Sequence, residues 1–292
     1  MSRLLVVGDV VDDVLVRPLG RTAVASDTEA QIERHPGGSA ANVAAWMATA
    51  GAEVSFVGRA GAEDVRRHTD ALTALGVDAR IVPDPELRTA AIVLLVDPSG
   101  ERTMYVDRGA NASLDAADVD ESLWDGVGWL HLTGYSFFCP DTRPAATELL
   151  RGAKRRGVRV CVDPSSAGFL SRCHGDFLGW TAGADLLVPN ADEARVLTGS
   201  DDPAAAAHSL LAYVPEVVLT CGGDGALWQA RGAGALRQSA NPVDVVDTTG
   251  AGDAFSAGLL TARSRGLDVR QQLRAGVELA ARCIVRLGAR PS

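Results

Sequence analysis

Lysine is almost absent from this sequence, since Lys154 is the only one among 292 residues. A Walker-type phosphate loop needs a Gly-Lys-Ser or Gly-Lys-Thr element. The chain has none, so it does not belong to the proteins that bind nucleotides through that loop. Schiff-base chemistry depends on a desolvated lysine, whereas Lys154 stands beside Arg155 and Arg156 in a segment typical of an exposed helix end. Any phosphate that this chain binds must therefore be held by other groups.

Paired cysteines, long apolar runs and an excess of positive charge are also missing. The five cysteines are scattered without a Cys-x-x-Cys pair, which argues against a disulfide framework or a zinc site. No signal peptide precedes the first apolar run, at 3–7, and that run is far too short to span a membrane. The net charge of −9 argues against nucleic-acid binding, which needs a basic surface. We expect a cytoplasmic protein that binds neither nucleic acid nor membrane.

The sequence does contain a regular alternation of short apolar runs and longer helical patterns. The apolar runs predict strands at 4–7, 53–57, 129–132, 158–162, 186–188 and 217–220. The helical patterns predict helices at 39–50, 63–75, 143–156, 252–264 and 269–287. Repeated strand–helix units imply a mainly parallel sheet with helices on both faces. We therefore predict a three-layer α/β/α core formed by residues 1–13, 36–87 and 109–292.

Two segments interrupt this alternation. Residues 28–35 alternate between polar and apolar side chains, and runs at 90–96 and 102–106 flank an Asp-Pro-Ser-Gly turn at 97–100. These patterns indicate half-exposed antiparallel strands outside the main sheet. They form either an ordinary edge hairpin or a small β-sheet lid that shields a reacting phosphate from water. We assign to this lid residues 14–35 and 88–108.

Polar residues follow several of the predicted strands. Ligands of parallel sheets bind beyond the carboxyl ends of the strands. We therefore expect one crevice to be lined by Asp13, Asp163, Asn190 and Thr220.

The segment Asp-Thr-Thr-Gly-Ala-Gly-Asp at 247–253 combines an anion site with an acid. Gly250 and Gly252 allow backbone N–H groups to approach a ligand, and the first N–H groups of a helix favour anions. Asp253 would repel a phosphate, but a phosphate attacked by a hydroxyl needs both donors for its charge and a base for the proton. The alternative is structural, because a first-turn acid stabilises a helix by about 0.3–1 kcal/mol.

Two motifs in this order resemble those of the ribokinase-like (PfkB) family of sugar and nucleoside kinases, and the resemblance covers nearly the whole chain. Gly-Gly-Ser-Ala-Ala-Asn-Val-Ala at 37–44 is similar to the family's N-terminal Gly-Gly-x-x-x-Asn signature, and 247–255 closely matches its C-terminal signature. The resemblance implies ATP and Mg²⁺ as cofactors and a small sugar or nucleoside as the acceptor. It also implies that Asp253 takes the acceptor's proton, while the N–H groups of Gly250, Ala251 and Gly252 hold the γ-phosphate.

The resemblance further implies a nucleotide and metal site. Asn190 and Glu193 resemble the family's Asn-x-x-Glu element, which places Mg²⁺ largely through water, as that ion prefers. For Glu193 a plain first-turn helix acid is the alternative. The stretch 220–225 resembles the nucleotide loop, in which Thr220, Gly222 and Gly225 lie near the phosphates and ribose; by itself it would be a simple turn.

For the sugar or nucleoside, Asp13 stands where an acid of the family binds two sugar hydroxyls. A carboxylate is suited to this role, because its two oxygens accept hydrogen bonds from neighbouring hydroxyl groups. Gly38 and Asn42 complete the implied sugar contacts, and Asp9 or Asp12 are either sugar ligands or turn acids. Many members also bind a monovalent cation such as K⁺. The matching positions here are Asp247, Thr249, Cys283, Gly288 and Ser292.

The chain departs from ribokinases where the acceptor should bind. Ser39 replaces their lysine, Val11 their asparagine, and Thr-Gly at 133–134 their glutamate. The pocket is therefore less polar than a ribose pocket, and a flat apolar group such as a base would suit Val11 and the aromatic residues Tyr135, Phe137 and Phe138.

We expect an ATP-dependent kinase acting on a primary hydroxyl of a nucleoside such as pseudouridine, or of a ribose-type furanose. Fructose and 2-keto-3-deoxygluconate are alternative acceptors, and a non-catalytic sugar- or nucleoside-binding regulator is an alternative function. A Rossmann-type dehydrogenase is excluded, because no G-x-G-x-x-G follows the first strand. Edge strands of the lid are suited to pairing across a homodimer.

Overall fold

The computed structural model describes residues 1–96 and 102–291, and the predicted turn at 97–100 lies outside them. The strands of the described residues are β1 (Arg3–Val7), β2 (Val11–Pro18), β3 (Ala30–Gly37), β4 (Val54–Gly61), β5 (Asp78–Asp84), β6 (Ala90–Val96), β7 (Arg102–Asp107), β8 (Val127–Thr133), β9 (Arg159–Asp163), β10 (Leu186–Leu187), β11 (Glu216–Thr220), β12 (Ala226–Ala230) and β13 (Leu236–Gln238). The α-helices are α1 (Ser39–Thr49), α2 (Val65–Thr73), α3 (Gly134–Phe138), α4 (Arg143–Arg155), α5 (Ala167–Leu170), α6 (His174–Trp180), α7 (Ala191–Thr198), α8 (Pro203–Leu210), α9 (Ala251–Ser264) and α10 (Val269–Ile284).

The larger sheet has nine strands in the order β13-β12-β11-β10-β9-β8-β1-β4-β5. Neighbours from β11 to β5 are parallel, and only β12 and β13 are added antiparallel at one edge. Strand β1 is central, with Leu5 paired to Ser55 on one side and to Leu130 on the other. The mainly parallel sheet predicted from the sequence is confirmed.

Helices cover both faces of this sheet, because successive side chains of a strand point to opposite faces. Val6 of β1 packs in a buried cluster with Trp46 of α1, whereas the next residue, Val7, packs in a second cluster with Leu149 of α4. The first cluster also contains residues of α9 and α10, and the second contains residues of α7 and α8. The three-layer α/β/α fold is therefore confirmed.

The smaller sheet has four strands in the order β3-β2-β6-β7. Strands β2 and β6 run parallel, and the two outer pairs are antiparallel. The separate small sheet is thus present, although β2 already begins at Val11 and β3 extends to Gly37. Asp13 consequently lies inside β2, and not in a turn after β1. No local pattern in the sequence marks the start of β2. The division into core and lid domains stays a prediction.

The sequence missed several elements at the edges of the larger sheet. Strand β5 contains Pro83, which weakens a strand signal and is tolerated at an edge. Helix α2 ends at Thr73 and α10 at Ile284, so both are shorter than their helical patterns. No described helix is long and apolar enough to cross a membrane.

The lysine and the thiols contribute no reactive cluster in the described part of the chain. Lys154 lies on the surface, with its Nζ 2.6 Å from Asp185 Oδ1. All five cysteines are free; Cys139, Cys161 and Cys283 are buried.

Candidate active site

A cavity of about 800 Å³ lies between the smaller sheet and the carboxyl ends of the larger sheet's strands. Its wall includes the four polar residues expected to share one crevice, Asp13, Asp163, Asn190 and Thr220. Side chains of β2, β6 and β7 form the opposite wall, which is largely apolar. The smaller sheet therefore covers the place where parallel sheets bind their ligands.

The N-terminus of α9 opens into this cavity. Gly250 precedes the helix with φ of 78°, and a Cβ on it would lie 2.7 Å from Ala289 Cβ, so only glycine fits there. Among the described residues, none accepts a hydrogen bond from the N–H groups of Gly250 or Gly252, whereas Ala251 N–H donates to Thr248 O at 3.2 Å. Two of the three predicted anion donors are thus free to bind a ligand.

Asp253 lies in the first turn of α9 and lines the cavity. Its Oδ1 accepts a hydrogen bond from Ser39 Oγ at 2.7 Å, and its Oδ2 accepts one from Asn42 Nδ2 at 2.9 Å. Burial raises the pKa of Asp253 to about 7, although both hydrogen bonds act in the opposite direction. The carboxyl group is therefore held rigidly by α1 and suited to exchanging a proton near neutral pH.

Asp9 and Asp12 both accept hydrogen bonds from other groups of the protein. Asp9 accepts hydrogen bonds from the N–H groups of Ser39 and Ala40 at 2.7 and 3.2 Å, and so holds the start of α1. Asp12 accepts two hydrogen bonds from Arg67, at 2.8 and 2.7 Å. Asp9 is also among the residues that line the cavity, whereas Asp12 is not.

Asp13 lies in β2 and lines the cavity. Burial raises its pKa to about 6, while Arg290 lowers it. A Cβ on Gly37 would lie 2.1 Å from Asp13 Oδ2, so this glycine makes room for the carboxyl group. Gly38 has φ of 98° and no space for a Cβ against Asp9 O, at 2.5 Å. A side chain would therefore clash with a neighbouring group at either residue of the Gly-Gly pair.

Arg290 is a site residue that the sequence did not reveal. Its Nε donates to Asn42 Oδ1 at 3.0 Å, and its Nη2 donates to Gly37 O. Because Asn42 Oδ1 faces the guanidinium, the amide nitrogen must face Asp253. Arg290 thus determines the orientation of the amide that holds Asp253. It stands alone between Ala289 and Pro291 at the end of the chain, and no sequence motif marks it.

Asn190 and Glu193 form a capping box at the start of α7. Asn190 Oδ1 accepts from Glu193 N–H, and Glu193 Oε2 accepts from Asn190 N–H, both at 2.9 Å. Glu193 nevertheless lines the cavity while only 2% exposed. Burial raises the pKa of Glu193 to about 7; burial and the nearby Glu193 raise that of Asp163 to about 8. Glu193 therefore has both the structural role and a place in the site.

This pair of buried carboxyl groups fits Mg²⁺. Each is disfavoured in its charged form by burial, and Asp163 also by the charge of Glu193, a penalty that a bound cation would relieve. Within the described residues, no cluster of three or more His, Cys, Asp or Glu side chains could hold a metal ion. Mg²⁺ keeps several water ligands, so two carboxyl groups and an amide suffice for it.

The predicted nucleotide loop is only partly in the cavity wall. Thr220 lines the cavity at the end of β11, whereas Gly222 and Gly225 are not among the lining residues. Gly225 has φ of 92°, and a Cβ on it would lie 2.0 Å from Gln238 O, so its glycine is required by the close approach of β13.

The positions matching a monovalent-cation site lie together around Asp247. Its Oδ1 accepts from Thr249 N–H and Oγ1 at 3.0 and 2.7 Å, and its Oδ2 accepts from Gly288 N–H at 3.2 Å. Cys283 Sγ lies 3.4 Å from Thr249 O. Ser292 is outside the described residues.

The aromatic wall differs from the one expected. Tyr135 lines the cavity, but Phe137 is fully buried against Phe177, and Phe138 stacks on Phe169 with ring centroids 5.3 Å apart. The prediction was therefore wrong for Phe137 and Phe138, because consecutive residues of the short helix α3 face different sides. Phe169, from α5, lines the cavity in their place.

The model of the pfkB family of carbohydrate kinases matches residues 1–292 of this chain. The chain belongs to the PfkB family. A fructokinase of Klebsiella pneumoniae is 31% identical over 267 residues, covering 89% of this chain and 83% of that protein. An ATP-dependent ribose-1-phosphate kinase of Halopiger xanaduensis is 33% identical over 302 residues, covering 99% and 94%.

Solved structures agree with this assignment. The crystal structure of an adenosine kinase from Sinorhizobium meliloti matches with a TM-score of 0.88 and 25% identity, covering 99% of this chain and 96% of that one. The protein is therefore a sugar or nucleoside kinase of the PfkB family. The PfkB signatures at 37–44 and 247–255 are the segments that meet at Asp253.

Proposed function

We propose that this PfkB kinase transfers the γ-phosphoryl group of ATP to a primary hydroxyl of a furanose sugar or nucleoside, with Asp253 as the general base. The observation that carries the proposal is the placement of Asp253. It lies in the first turn of α9, in a covered cavity, between two hydrogen-bond donors and beside the free N–H groups of Gly250 and Gly252.

In this mechanism Asp253 removes the proton of the attacking hydroxyl, and the N–H groups of Gly250 and Gly252 donate to the phosphoryl group in transit. Ala251 contributes its N–H only after releasing Thr248 O. Asn190, Glu193 and Asp163 would hold Mg²⁺ through water, and the ion would neutralise charge on the ATP phosphates. The apolar side chains of the smaller sheet exclude water, which would otherwise compete as the nucleophile.

On the acceptor side, Asp13 accepts hydrogen bonds from two sugar hydroxyls. Gly38 allows the acceptor to approach the backbone, and Asn42 shares its amide between Asp253 and the sugar. Tyr135 gives the cavity an aromatic surface that supports a nucleoside base, such as that of pseudouridine. The named activities of the relatives cover fructose, ribose 1-phosphate and adenosine, so fructose is a candidate acceptor. We keep 2-keto-3-deoxygluconate as a further candidate from the resemblance in sequence.

An acceptor screen with Mg-ATP tests the proposal directly. The panel contains pseudouridine, uridine, adenosine, ribose, fructose and 2-keto-3-deoxygluconate, and ADP release and phosphorylated product are measured. At least one acceptor should be phosphorylated on a primary hydroxyl. A non-catalytic regulator would bind an acceptor without forming ADP, and that result would contradict the proposal.

Three further parts of the proposal concern the surroundings of the site. K⁺ would bind beside Asp247, Thr249, Cys283, Gly288 and Ser292. Thr220, Gly222 and Gly225 would border the nucleotide. The exposed edge strand β7, with Met104 and Tyr105, would pair with the lid of a second copy in a homodimer, and the free cysteines suit a cytoplasmic protein.

The pH dependence of kcat/KM should report the ionisation of Asp253. Only the ionised carboxylate accepts the hydroxyl proton, and its pKa is raised to about 7 by burial. The rate should therefore rise about tenfold per pH unit below pH 7 and level off above it. Initial rates between pH 5 and 9 measure this limb. A profile that is flat between pH 5 and 8 would mean that another group takes the proton.

Arg290→Met should lower kcat about tenfold or more, because Asn42 then loses the contact that orients its amide towards Asp253. If Arg290 acts through Asn42, the two changes are not additive. Adding Arg290→Met to an Asn42→Ala variant should then have little further effect on kcat. Additive losses in this double-mutant cycle would show that Arg290 acts independently of the amide.

A further inference from the structure

Two arginines line the cavity without an acidic partner. Arg108 follows β7 of the smaller sheet, and Arg172 follows α5, which comes after β9 of the larger sheet. Their guanidinium carbons lie 5.8 and 4.9 Å from the centroid of the same ring, that of Phe169. Arg108 Nη1 donates to Tyr135 O at 3.1 Å. Within the part of the chain that the structure describes, neither guanidinium forms an ion pair with a carboxylate.

Arg17, the other arginine among the described lining residues, has a carboxylate partner, which also contacts His35. Arg17 Nη1 lies 3.6 Å from Glu33 Oε1, and His35 Nε2 lies 3.0 Å from Glu33 Oε2. Of the arginines that line the cavity in the described part of the chain, Arg108 and Arg172 are thus the two that form no ion pair. They offer planar, charged donors of the kind that pairs with phosphate or carboxylate oxygens.

The ring of Phe169 explains how these donors are presented. A guanidinium that rests on an aromatic face is partly desolvated and held in one plane, so its remaining edge is directed to a ligand at low entropic cost. The reacting part of the cavity instead has carboxyl groups in its wall, those of Asp13, Asp163 and Asp253. An acceptor with a negative group would therefore be drawn into one orientation, with that group at the arginines and its hydroxyls at the acids.

We propose that Arg108 and Arg172 form a subsite for an anionic substituent of the acceptor, either a phosphate or a carboxylate. The inference rests on the proposed function and narrows its substrate class to sugars or nucleosides that already carry a negative charge. The anion does not react; it is bound at the arginines while a hydroxyl elsewhere on the acceptor is phosphorylated. Because one arginine follows a lid strand and the other a core helix, the same anion joins the lid to the core.

The test compares matched neutral and anionic acceptors. Fructose is paired with fructose 1-phosphate, and ribose with ribose 1-phosphate, as the phosphate arm. The methyl ester of 2-keto-3-deoxygluconate is paired with the free acid as the carboxylate arm. Each acceptor is assayed with the unmodified enzyme and with Arg108→Gln and Arg172→Gln. Arg34→Gln is the matched control, since Arg34 is an exposed lid arginine of β3 that does not line the cavity.

For the anionic acceptor, each cavity variant should lose roughly 10- to 100-fold in kcat/KM, as expected for a charge-assisted hydrogen bond. The neutral acceptor, the KM for ATP and the Arg34→Gln enzyme should change less than about twofold. The arm in which the anionic acceptor is preferred more strongly over its neutral partner shows whether the subsite binds phosphate or carboxylate. Equal losses for neutral and anionic acceptors, or an equal loss in the control, would overturn the subsite.

The affinities of the same acceptors, measured by calorimetry, test the subsite independently of catalysis. Anionic acceptors should bind more tightly than their neutral partners, and the arginine variants should abolish the difference. If neutral acceptors are phosphorylated and the arginine variants behave normally, the subsite is wrong and the kinase proposal stands. If binding depends on the arginines but no acceptor is phosphorylated, the proposed function fails and the subsite stands. No preference for any anionic acceptor would refute the subsite.

Discussion

Asp253→Asn should lower kcat by a factor on the order of 10²–10⁴ while ATP affinity stays nearly unchanged. The amide cannot take a proton from the acceptor hydroxyl, and the nucleotide contacts proposed at Asn190 and Thr220 do not involve it. ADP release measures the expected fall in kcat, and calorimetry measures whether the affinity for ATP is unchanged. The thermal unfolding temperature shows whether the loss of one hydrogen bond, from Ser39 or Asn42, disturbs the fold.

The matched control is Asp192→Asn, which neutralises an exposed first-turn acid of another helix, α7, paired with Arg195 at 2.9 Å. It should leave kcat within about twofold, because exposed ion pairs contribute little. If Asp253→Asn turned over acceptor at the parental rate, Asp253 would not be the base. If both variants lost activity equally, the effect would be one of helix charge rather than of proton transfer.

Gly250→Ala should lower kcat by about 10²-fold and also destabilise the protein. The residue has φ of 78°, and its new Cβ would lie 2.7 Å from Ala289 Cβ, so the segment before α9 must shift. The N–H groups of Gly250 and Gly252 then no longer point to the phosphoryl group. A kcat measurement together with urea unfolding separates the loss of catalysis from the loss of stability.

Gly266→Ala isolates the cost of the backbone conformation. Gly266 follows the other end of α9 with φ of 73°, and nothing lies within 4 Å of the position where its Cβ would be. This control should lose about 1–2 kcal/mol of stability and keep its kcat. Equal effects of the two substitutions on kcat would mean that the geometry before α9 does not matter for catalysis.

Much of the site was visible in the sequence because local patterns encode it. Glycines before a helix and an acid inside its first turn predicted the place of Asp253, and polar residues after apolar runs predicted which side chains line the cavity. Phe137 and Phe138 were mistaken for cavity residues because a short aromatic run does not reveal which way each ring points. Asn190 and Glu193 show that a capping box and a site can use the same residues.

The sequence by itself determined the three-layer fold, the family and the acid at the α9 N-terminus, since strand–helix periodicity and Gly-rich helix starts depend on neighbouring residues. Only the tertiary structure decided the partners of that acid: Ser39 and Asn42 come from α1, and Arg290 from the end of the chain. It also brought Arg108 and Arg172 to one ring. Such contacts join residues far apart in the chain, and their geometry follows from how the helices and the two sheets pack, which no local pattern specifies.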